Sequence, residues 1–334
     1  LFAFGIGNVF ALEKFQPTTR AAASQEVEFD VFLPLQHADQ LDQLLVGLHT
    51  PGSASYHQWL TPDQFRQRFG PNAEDIAKVT NALKAYGLTV TRTHSHGVRV
   101  KGQIAAVENV FATSLWNGVS AKGAQKLIAT NPISLPDALI QAGAQVVNFS
   151  PIIRHAVHAR QAAALPDNRR SPKGPYWFTD LKQAYDFPSY EALTGKGVTI
   201  GILISSDYSE ADMTAYFGHE GLKPPTIIRR PVLGGAKFDP NSGDSLEAAL
   251  DIQQSGGMAP GATVVLYSIP NLGDDAILAG YLDIVGDNTV DIVNSSFGGA
   301  EAFYTAAYNA GVDQTGILKV FNDLFKQGNA QGIT

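Results

Sequence analysis

Apolar residues in the first 150 positions follow both strand and helix periods. Residues 27–33 alternate apolar and polar side chains, which is the pattern of a strand with one buried face. Residues 41–48 instead repeat leucine at helical spacing. Thr61, which is followed by Pro62, and Asn72 are residue types that cap helix N-termini, so a helix is predicted after each of them.

Two short strands and a further helix are predicted next. Residues 88–93 and 97–101 have strand character and enclose His94-Ser95-His96, and residues 104–111 have helical spacing. Another strand is predicted near Leu127. The order strand, helices, strand, strand, helix, strand favours an antiparallel sheet with helices on one face. We therefore expect an α+β domain of ferredoxin-like type.

From residue 176 onward, apolar strands alternate with helices. Strands that are apolar throughout are buried on both faces, which is typical of a parallel sheet with right-handed crossovers. An α/β domain is therefore predicted, and because its last residues resemble the start of another strand, we expect it to be incomplete at the C-terminus. The predicted strands are residues 198–204, 226–232, 262–267 and 292–295, and the predicted helices are residues 209–218, 245–255, 275–285 and 317–326.

The segments outside these patterns set the domain boundaries. Residues 151–175 have no hydrophobic period and many basic or small side chains, so we interpret them as an exposed linker where proteolytic cleavage is expected. Residues 1–24 begin with an apolar run similar to the end of a secretory signal, and we interpret them as a signal-peptide remnant or leader. A buried strand is the alternative for this run. The α+β domain is then residues 25–150 and the α/β domain residues 176–334.

Composition excludes several classes of protein. The 334 residues carry 24 Lys and Arg against 31 Asp and Glu, a net charge of −7, and only 16% of them are charged. The basic clusters of nucleic-acid-binding proteins are missing, so no nucleic-acid partner is expected. No apolar run approaches the roughly 20 residues that span a bilayer, so no membrane partner is expected either. The absence of cysteine excludes disulfides and thiol nucleophiles.

The charge is unevenly divided between the two domains. Residues 176–334 carry 8 Lys and Arg against 19 Asp and Glu, a net charge of −11, which leaves +4 for residues 1–175. Two complementary surfaces that dock are one interpretation of this division, and ordinary variation of solvated faces is the other.

Histidine does not supply an obvious catalytic group. Seven of the eight histidines precede residue 160, so a Ser-His-Asp triad in the α/β domain would have to use His219. The sequence also contains no G-x-S-x-G, Walker A or H-E-x-x-H motif. His94 and His96 could bind a metal as a pair, but we expect a solvated hairpin because no carboxylate cluster accompanies them. No metal site is therefore predicted.

Glu247 and Asp251 are the remaining candidates for catalysis. Positions i and i+4 share one face of a helix, so the two carboxyls are close enough to share a proton. The small and apolar residues around them favour a shielded pair over a solvated one. In such a pair one carboxyl ionises readily while the other keeps its proton to higher pH. The pair can act as a general base in acid, where histidine is already protonated.

With this pair included, the chain resembles the sedolisins, the serine-carboxyl peptidases that include kumamolisin and tripeptidyl-peptidase I. The resemblance runs from about residue 27 to residue 334, and the order and spacing of its motifs make it specific. In the α+β domain it rests on His49-Thr-Pro-Gly-Ser-Ala-Ser-Tyr56, Leu60-Thr-Pro-Asp-Gln-Phe65 and Phe69-Gly-Pro71. In the α/β domain it rests on Asp180-Leu-Lys-Gln-Ala-Tyr185, Gly195-Lys-Gly-Val-Thr-Ile200, residues 247–251, Ala259-Pro-Gly-Ala262 and Asp291-Ile-Val-Asn-Ser-Ser-Phe-Gly-Gly299.

The resemblance implies a pro-kumamolisin-type activation domain at residues 25–150 and the N-terminal part of a subtilisin-like α/β peptidase domain at residues 176–334. It further implies a secreted zymogen that is activated by cleavage between the two domains. The expected activity is that of an acid endopeptidase or tripeptidyl-peptidase, with peptides and proteins as substrates. The activation domain would be its intramolecular inhibitor.

The resemblance also assigns roles to residues of the α/β domain. Glu247 matches the family's general base, and Asp251 matches the carboxylate that orients this base. A strand that pairs with the substrate backbone is matched by five consecutive residues. Relatives often carry another aromatic residue where this strand has phenylalanine, which leaves the pocket preference open. The five residues are Ser295, Ser296, Phe297, Gly298 and Gly299.

Two family segments are not found after Gly299: the Ser-Gly-Asp segment with the oxyanion-hole aspartate and the Gly-Thr-Ser segment with the nucleophile. We therefore expect the serine to lie beyond this chain and the chain itself to be inactive. Calcium is expected for the family, but its binding loop is not found, so no cofactor is expected here. The alternative is a non-catalytic activation-domain protein that acts as a protease inhibitor or intramolecular chaperone.

Overall fold

The computed structural model describes residues 12–157, 178–190, 192–309 and 311–334. Within these residues the chain forms two compact units, each assembled from separate stretches of sequence. The first unit comprises the described residues up to His155 together with Gly273–Asn288 and Gly299–Gly332. The second unit comprises the described residues of Ala156–Leu272 together with Thr289–Gly298 and Ile333–Thr334.

The helices and strands are numbered along the chain. The strands are β1 (Glu13–Arg20), β2 (Glu26–Phe32), β3 (Thr89–His94), β4 (Gly97–Gln103), β5 (Leu115–Ser120), β6 (Gln125–Ala129), β7 (Gln145–Val146), β8 (Ile152–Ile153), β9 (Ala156–Val157), β10 (Thr199–Ile204), β11 (Thr226–Pro231), β12 (Thr263–Ser268), β13 (Ile292–Asn294) and β14 (Phe297–Gly298). The helices are α1 (Ala38–His49), α2 (Pro62–Phe69), α3 (Ala73–Ala85), α4 (Ile104–Val110), α5 (Asp137–Gln141), α6 (Phe178–Ala184), α7 (Glu210–His219), α8 (Gly243–Met258), α9 (Asp274–Asp287) and α10 (Gly316–Ala330).

The first unit contains two four-stranded antiparallel sheets. One has the strand order β3-β4-β2-β7, and the other has the order β6-β5-β1-β8. The apolar face of β2 puts Phe29 and Val31 into a core with Val79 and Leu83 of α3 and Phe111 at the end of α4. The strand and helix periods of this part of the sequence therefore predicted its core correctly.

Helices α2 and α3 of the first unit begin where the sequence predicts. Thr61 accepts a hydrogen bond from the Gln64 backbone while the Gln64 side chain accepts one from the Thr61 backbone, which is a complete capping box in front of α2. Asn72 caps α3 in the same way through the Asp75 backbone. A second core is formed by Leu41, Leu48, Phe65, Phe69 and Ala330, the last residue of α10.

The second unit contains a parallel sheet of strand order β11-β12-β10-β13. Its central strands are buried on both faces, since the neighbours Ile202 and Leu203 of β10 and Val264 and Val265 of β12, which point to opposite faces, are all buried. The predicted parallel sheet and its four strands are therefore confirmed, as are the helices α7, α8, α9 and α10. None of the helices among the described residues has the length and apolarity that a bilayer crossing requires.

The structure differs from three expectations, which concern the leader, the linker and the hairpin tip. Strand β1 lies within residues 1–24, the predicted leader, whose first 11 residues are outside the described part. The linker 151–175 is described only to Val157, and there it forms β8 and β9 and buries Arg154, so the predicted exposure is wrong for this stretch. The hairpin tip between β3 and β4 is buried rather than solvated, because it packs on residues more than 200 positions away.

Candidate functional site

Helix α8 starts at the carboxyl end of the central strand β10. Ser242 caps the helix by accepting a hydrogen bond from the Asp244 backbone at 3.1 Å. Ser205, which directly follows β10, donates a hydrogen bond to the Asp244 carboxylate, and the hydroxyls of Ser206 and Ser245 lie 2.7 Å apart. The carboxyl ends of parallel strands are where α/β sheets bind their ligands. The start of α8 is therefore fixed at a position suited to a functional site.

Both predicted catalytic carboxyls lie on the buried face of α8. Glu247 is 5% exposed and Asp251 is 7% exposed, whereas Leu250 between them is 41% exposed. Ala248 and Ile252, each beside one of the carboxyls in sequence, are fully buried in the core of the second unit. The helix thus turns two acidic groups toward the protein and an apolar residue toward solvent, which is the reverse of an ordinary surface helix.

Asp251 is held by Ser296, which follows β13, and through it by Asn294, the last residue of β13. The Ser296 hydroxyl donates a hydrogen bond of 2.6 Å to Oδ1 of Asp251. The Asn294 side-chain amide donates a hydrogen bond of 3.1 Å to the Ser296 hydroxyl oxygen. The other carboxyl oxygen of Asp251, Oδ2, is buried and accepts no hydrogen bond. The carboxyl is therefore fixed through one oxygen only.

Burial raises the pKa of Asp251 to about 6, and the negative charge of Glu247 acts in the same direction. The hydrogen bond from Ser296 and the Asn294 amide lower the pKa of Asp251, but by less than burial raises it. Asp251 is consequently a neutral acid below about pH 6, although an ordinary aspartate is ionised down to about pH 4. A neutral carboxylic acid one helical turn from a second carboxyl can donate a hydrogen bond to it.

The predicted substrate-binding residues are divided by the structure. Phe297 and Gly298 form β14, which pairs antiparallel with β9 in the register Phe297 with Val157 and Gly298 with Ala156. Phe297 and Val157 both pack on the core of the second unit. Gly299 belongs to the first unit, where an added Cβ would lie 2.3 Å from the Arg154 carbonyl oxygen.

Comparison with known proteins finds similar sequences over both parts of the chain. Residues 13–149 match the family model "Pro-kumamolisin, activation domain". Kumamolisin of Bacillus sp. (strain MN-32) is 29% identical over 308 residues, which are 87% of this chain and 54% of the relative. Xanthomonalisin of Xanthomonas sp. (strain T-22) is 28% identical over 336 residues, 95% of this chain and 39% of the relative.

The chain is related to the sedolisins. The resemblance drawn from its sequence motifs is thereby confirmed, and the match to the pro-kumamolisin activation domain begins at residue 13. A solved Pseudomonas sedolisin, a serine-carboxyl proteinase complexed with two molecules of pseudo-iodotyrostatin, is 25% identical with a TM-score of 0.38 over 45% of this chain and 40% of that one. The chain spans about half or less of the length of the sedolisin relatives named here.

Sequence reasoning about this sedolisin-related chain missed two features of the site. It assigned Ser296 to substrate binding and did not foresee the bond from its side chain to Asp251, nor the part of Asn294. The only sequence signal was position, since Asn294 lies within the predicted strand 292–295 and Ser296 directly follows it. Across the described part of the chain, no three His, Cys, Asp or Glu side chains are grouped as a metal site would need.

Proposed function

We propose that this chain is the N-terminal part of the zymogen of a serine-carboxyl peptidase that hydrolyses peptide bonds in acid. Glu247 acts as the general base, Asp251 orients it, and the serine that they serve lies beyond Thr334. The observation that carries this proposal is the buried pair on α8, in which Asp251 has a raised pKa and a fixed hydrogen-bond donor.

The chemistry follows from the environment of this pair. A general base for a serine hydroxyl must be unprotonated at the working pH, and histidine, with an ordinary pKa of about 6.5, is protonated in acid. A carboxylate stays ionised there if a neighbour stabilises its charge. Asp251, neutral below about pH 6, can supply this stabilisation as a hydrogen-bond donor. This division into one base and one acid is the work that catalytic carboxyl pairs perform.

Residues 295–299 are proposed to bind the substrate by strand pairing. A peptide would hydrogen-bond to the backbone of β14, and neighbouring side chains would form its pockets. In the structure the edge of β14 is paired with β9, a segment of the chain's own N-terminal side. This pairing supports intramolecular inhibition, because a substrate strand and β9 would compete for the same backbone groups.

Further parts of the proposal rest on the family resemblance. They are secretion, a subtilisin-like fold of the peptidase part, calcium as a cofactor of the complete enzyme, and activation by cleavage within residues 151–175. Most of residues 151–175 lie outside the described residues. A ferredoxin-like activation domain is supported by the element order β2-α3-β3-β4-α4-β7, which follows the β-α-β-β-α-β arrangement. Endopeptidase and tripeptidyl-peptidase activity both remain within the proposal.

The test compares this chain with an extended chain that includes the downstream coding sequence. Both are incubated at pH 4 with an unstructured peptide, and cleavage is followed by mass spectrometry. The 334-residue chain is expected to be inert, since a base without a nucleophile cannot form an acyl-enzyme. The extended chain is expected to cleave the peptide, and Glu247→Gln and Asp251→Ala are each expected to lower kcat by at least about 100-fold.

The control replaces an exposed carboxylate on the neighbouring helix α7. Asp212→Asn removes one negative charge, as Glu247→Gln does, but at a position away from the site. It should leave cleavage unchanged. Undiminished cleavage by the extended Glu247→Gln variant would refute the assigned base. An inert extended chain that inhibits a related peptidase would instead support the alternative function as a non-catalytic inhibitor.

A further inference from the structure

The hydrogen bonds around Ser296 give its hydroxyl a direction. Its oxygen accepts from the Asn294 amide at 3.1 Å, and its hydrogen is donated to Oδ1 of Asp251 at 2.6 Å. An amide nitrogen can only donate, so the hydroxyl hydrogen of Ser296 is free to point at the carboxyl. Each hydrogen bond in this series is therefore donated in the same direction, from Asn294 to Ser296 and from Ser296 to Asp251.

The two oxygens of Asp251 are consequently different. Oδ1 receives the Ser296 hydrogen, whereas Oδ2 is buried and accepts no hydrogen bond. A proton added to the carboxyl binds best to the oxygen that is not already engaged, because the other has part of its electron density committed to the Ser296 bond. A neutral carboxyl protonated on Oδ2 also removes the cost of a buried charge whose second oxygen has no partner.

Glu247 is the charged group that acts on the pKa of Asp251 among the described residues. It lies one turn earlier on α8 and is buried on the same face. Because Oδ1 faces the Ser296 hydroxyl, Oδ2 is the oxygen left to donate a hydrogen toward Glu247.

We propose that Ser296 is a positioning residue that directs the proton of Asp251 to Oδ2, where it serves Glu247. The side chain of Ser296 then acts on the acid, while its backbone remains available for strand pairing, so one residue has two separate partners. The catalytic consequence rests on the proposed function, but the location of the proton does not.

The experiment measures the titration of Asp251 in the 334-residue chain. Aspartate is labelled with ¹³C at the carboxyl carbon, and the Asp251 signal is assigned by its loss in Asp251→Asn. The midpoint should lie near pH 6 in the unmodified chain. It should rise by about one pH unit in Ser296→Ala, since a hydrogen bond to the ionised form is lost. Ser296→Thr, which keeps the hydroxyl, should restore the original midpoint.

Thr214→Ala is the matched control, because it removes a hydroxyl from α7 that donates to the Glu210 backbone. It should leave the titration of Asp251 unchanged. If Ser296→Ala does not fold, Asn294→Ala is used instead and should raise the midpoint in the same direction. An unchanged or lowered midpoint in the variant that folds would overturn the proposal, as would a failure of Ser296→Thr to restore it.

The readout separates this proposal from the proposed function. Loss of the predicted midpoint shift refutes the role of Ser296 even if the extended chain is an active peptidase. Conversely, an inert extended chain with the predicted shift refutes the peptidase assignment and leaves the protonation of Asp251 as described.

Discussion

Protonation of His96 is predicted to destabilise the first unit in acid. His96 lies at the tip of the β3-β4 hairpin, is 1% exposed, and places Nε2 at 2.7 Å from Oε1 of Gln327 on α10. The same oxygen accepts a hydrogen bond from Ser95 at 2.7 Å. An amide oxygen can only accept, so Nε2 of His96 carries the hydrogen and the ring is neutral. A second proton would put a positive charge into a buried site.

The size of this destabilisation follows from the pKa of His96. Burial, together with the positive charges of His94 and Lys319, lowers this pKa to about 3, and the Gln327 hydrogen bond opposes the shift in part. In the unfolded chain the pKa of a histidine is about 6.5. The folded state therefore binds this proton more weakly than the unfolded state does. Its stability is complete above about pH 6.5 and falls as the pH drops toward 3. At pH 4 the loss from this single group is about 3 kcal/mol.

The assay is urea unfolding of the 334-residue chain at pH 7 and pH 4, followed by circular dichroism. His96→Gln keeps a donor for Gln327 but cannot be protonated, so the difference in free energy of unfolding between the two pH values should shrink by about 3 kcal/mol. His37→Asn is the control, since His37 is exposed and has a left-handed backbone that asparagine tolerates. This control should keep the full difference.

An unchanged pH difference in His96→Gln would refute the reasoning. The nearby Asp30 carboxyl does not mimic the effect. Burial raises its pKa, but His94, whose Nε2 lies 3.5 Å from Oδ1, and the two hydrogen bonds from Arg99 outweigh burial and hold it below the usual value of 3.8. Its contribution to stability is therefore lost only below about pH 4, whereas that of His96 is already declining at pH 6.

Three further predictions concern stability and are measured by the same unfolding assay. Because the pKa of Asp251 is raised to about 6, the group favours the folded state only while it is protonated, and the free energy of unfolding falls by up to about 3 kcal/mol as the pH rises from 4 to 7. Asp251→Asn should remove this fall, and an unchanged pH difference would contradict the prediction. Arg154→Ala should cost about 3–5 kcal/mol, since it leaves the buried Asp274 carboxylate without the guanidinium that lies 2.8 Å away, and a loss below 1 kcal/mol would show that the pair is unimportant. Thr61→Ala should cost about 1 kcal/mol by removing the acceptor for the Gln64 backbone, with Thr61→Ser as the variant that keeps it.

Local signals in the sequence predicted most of the elements because those elements depend on nearby residues. The N-cap of α2 at Thr61 and the apolar strand β10 each depend on a few consecutive positions, and both are found where predicted. Strands β1 and β5 were not predicted. The two strands pair with each other across about 100 positions, and β1 is exposed over most of its length, so it lacks the alternation of a half-buried strand.

In the site, too, local features were predictable from the sequence and long-range contacts were not. The spacing of Glu247 and Asp251 on one helix was visible in the sequence, since i and i+4 are fixed by helix geometry. The bond from Ser296 to Asp251 spans 45 positions, and that from His96 to Gln327 spans 231. No local pattern encodes such pairs. The burial of His94-Ser95-His96 therefore could not be inferred from a hairpin sequence that, on its own, looks solvated.

The separation between His96 and Gln327 also imposes an order of events during synthesis. At about 5–20 residues per second, the ribosome adds the intervening 231 residues in roughly 10–50 s. Small antiparallel domains form within milliseconds to seconds, so the β3-β4 hairpin is complete long before α10 exists. Until then the hairpin tip lacks the Gln327 oxygen to which both Ser95 and His96 donate hydrogen bonds. The arrival of α10 thus supplies the acceptor that completes the surroundings of His96, a change that pulse-labelled nascent chains would report as a late step in folding.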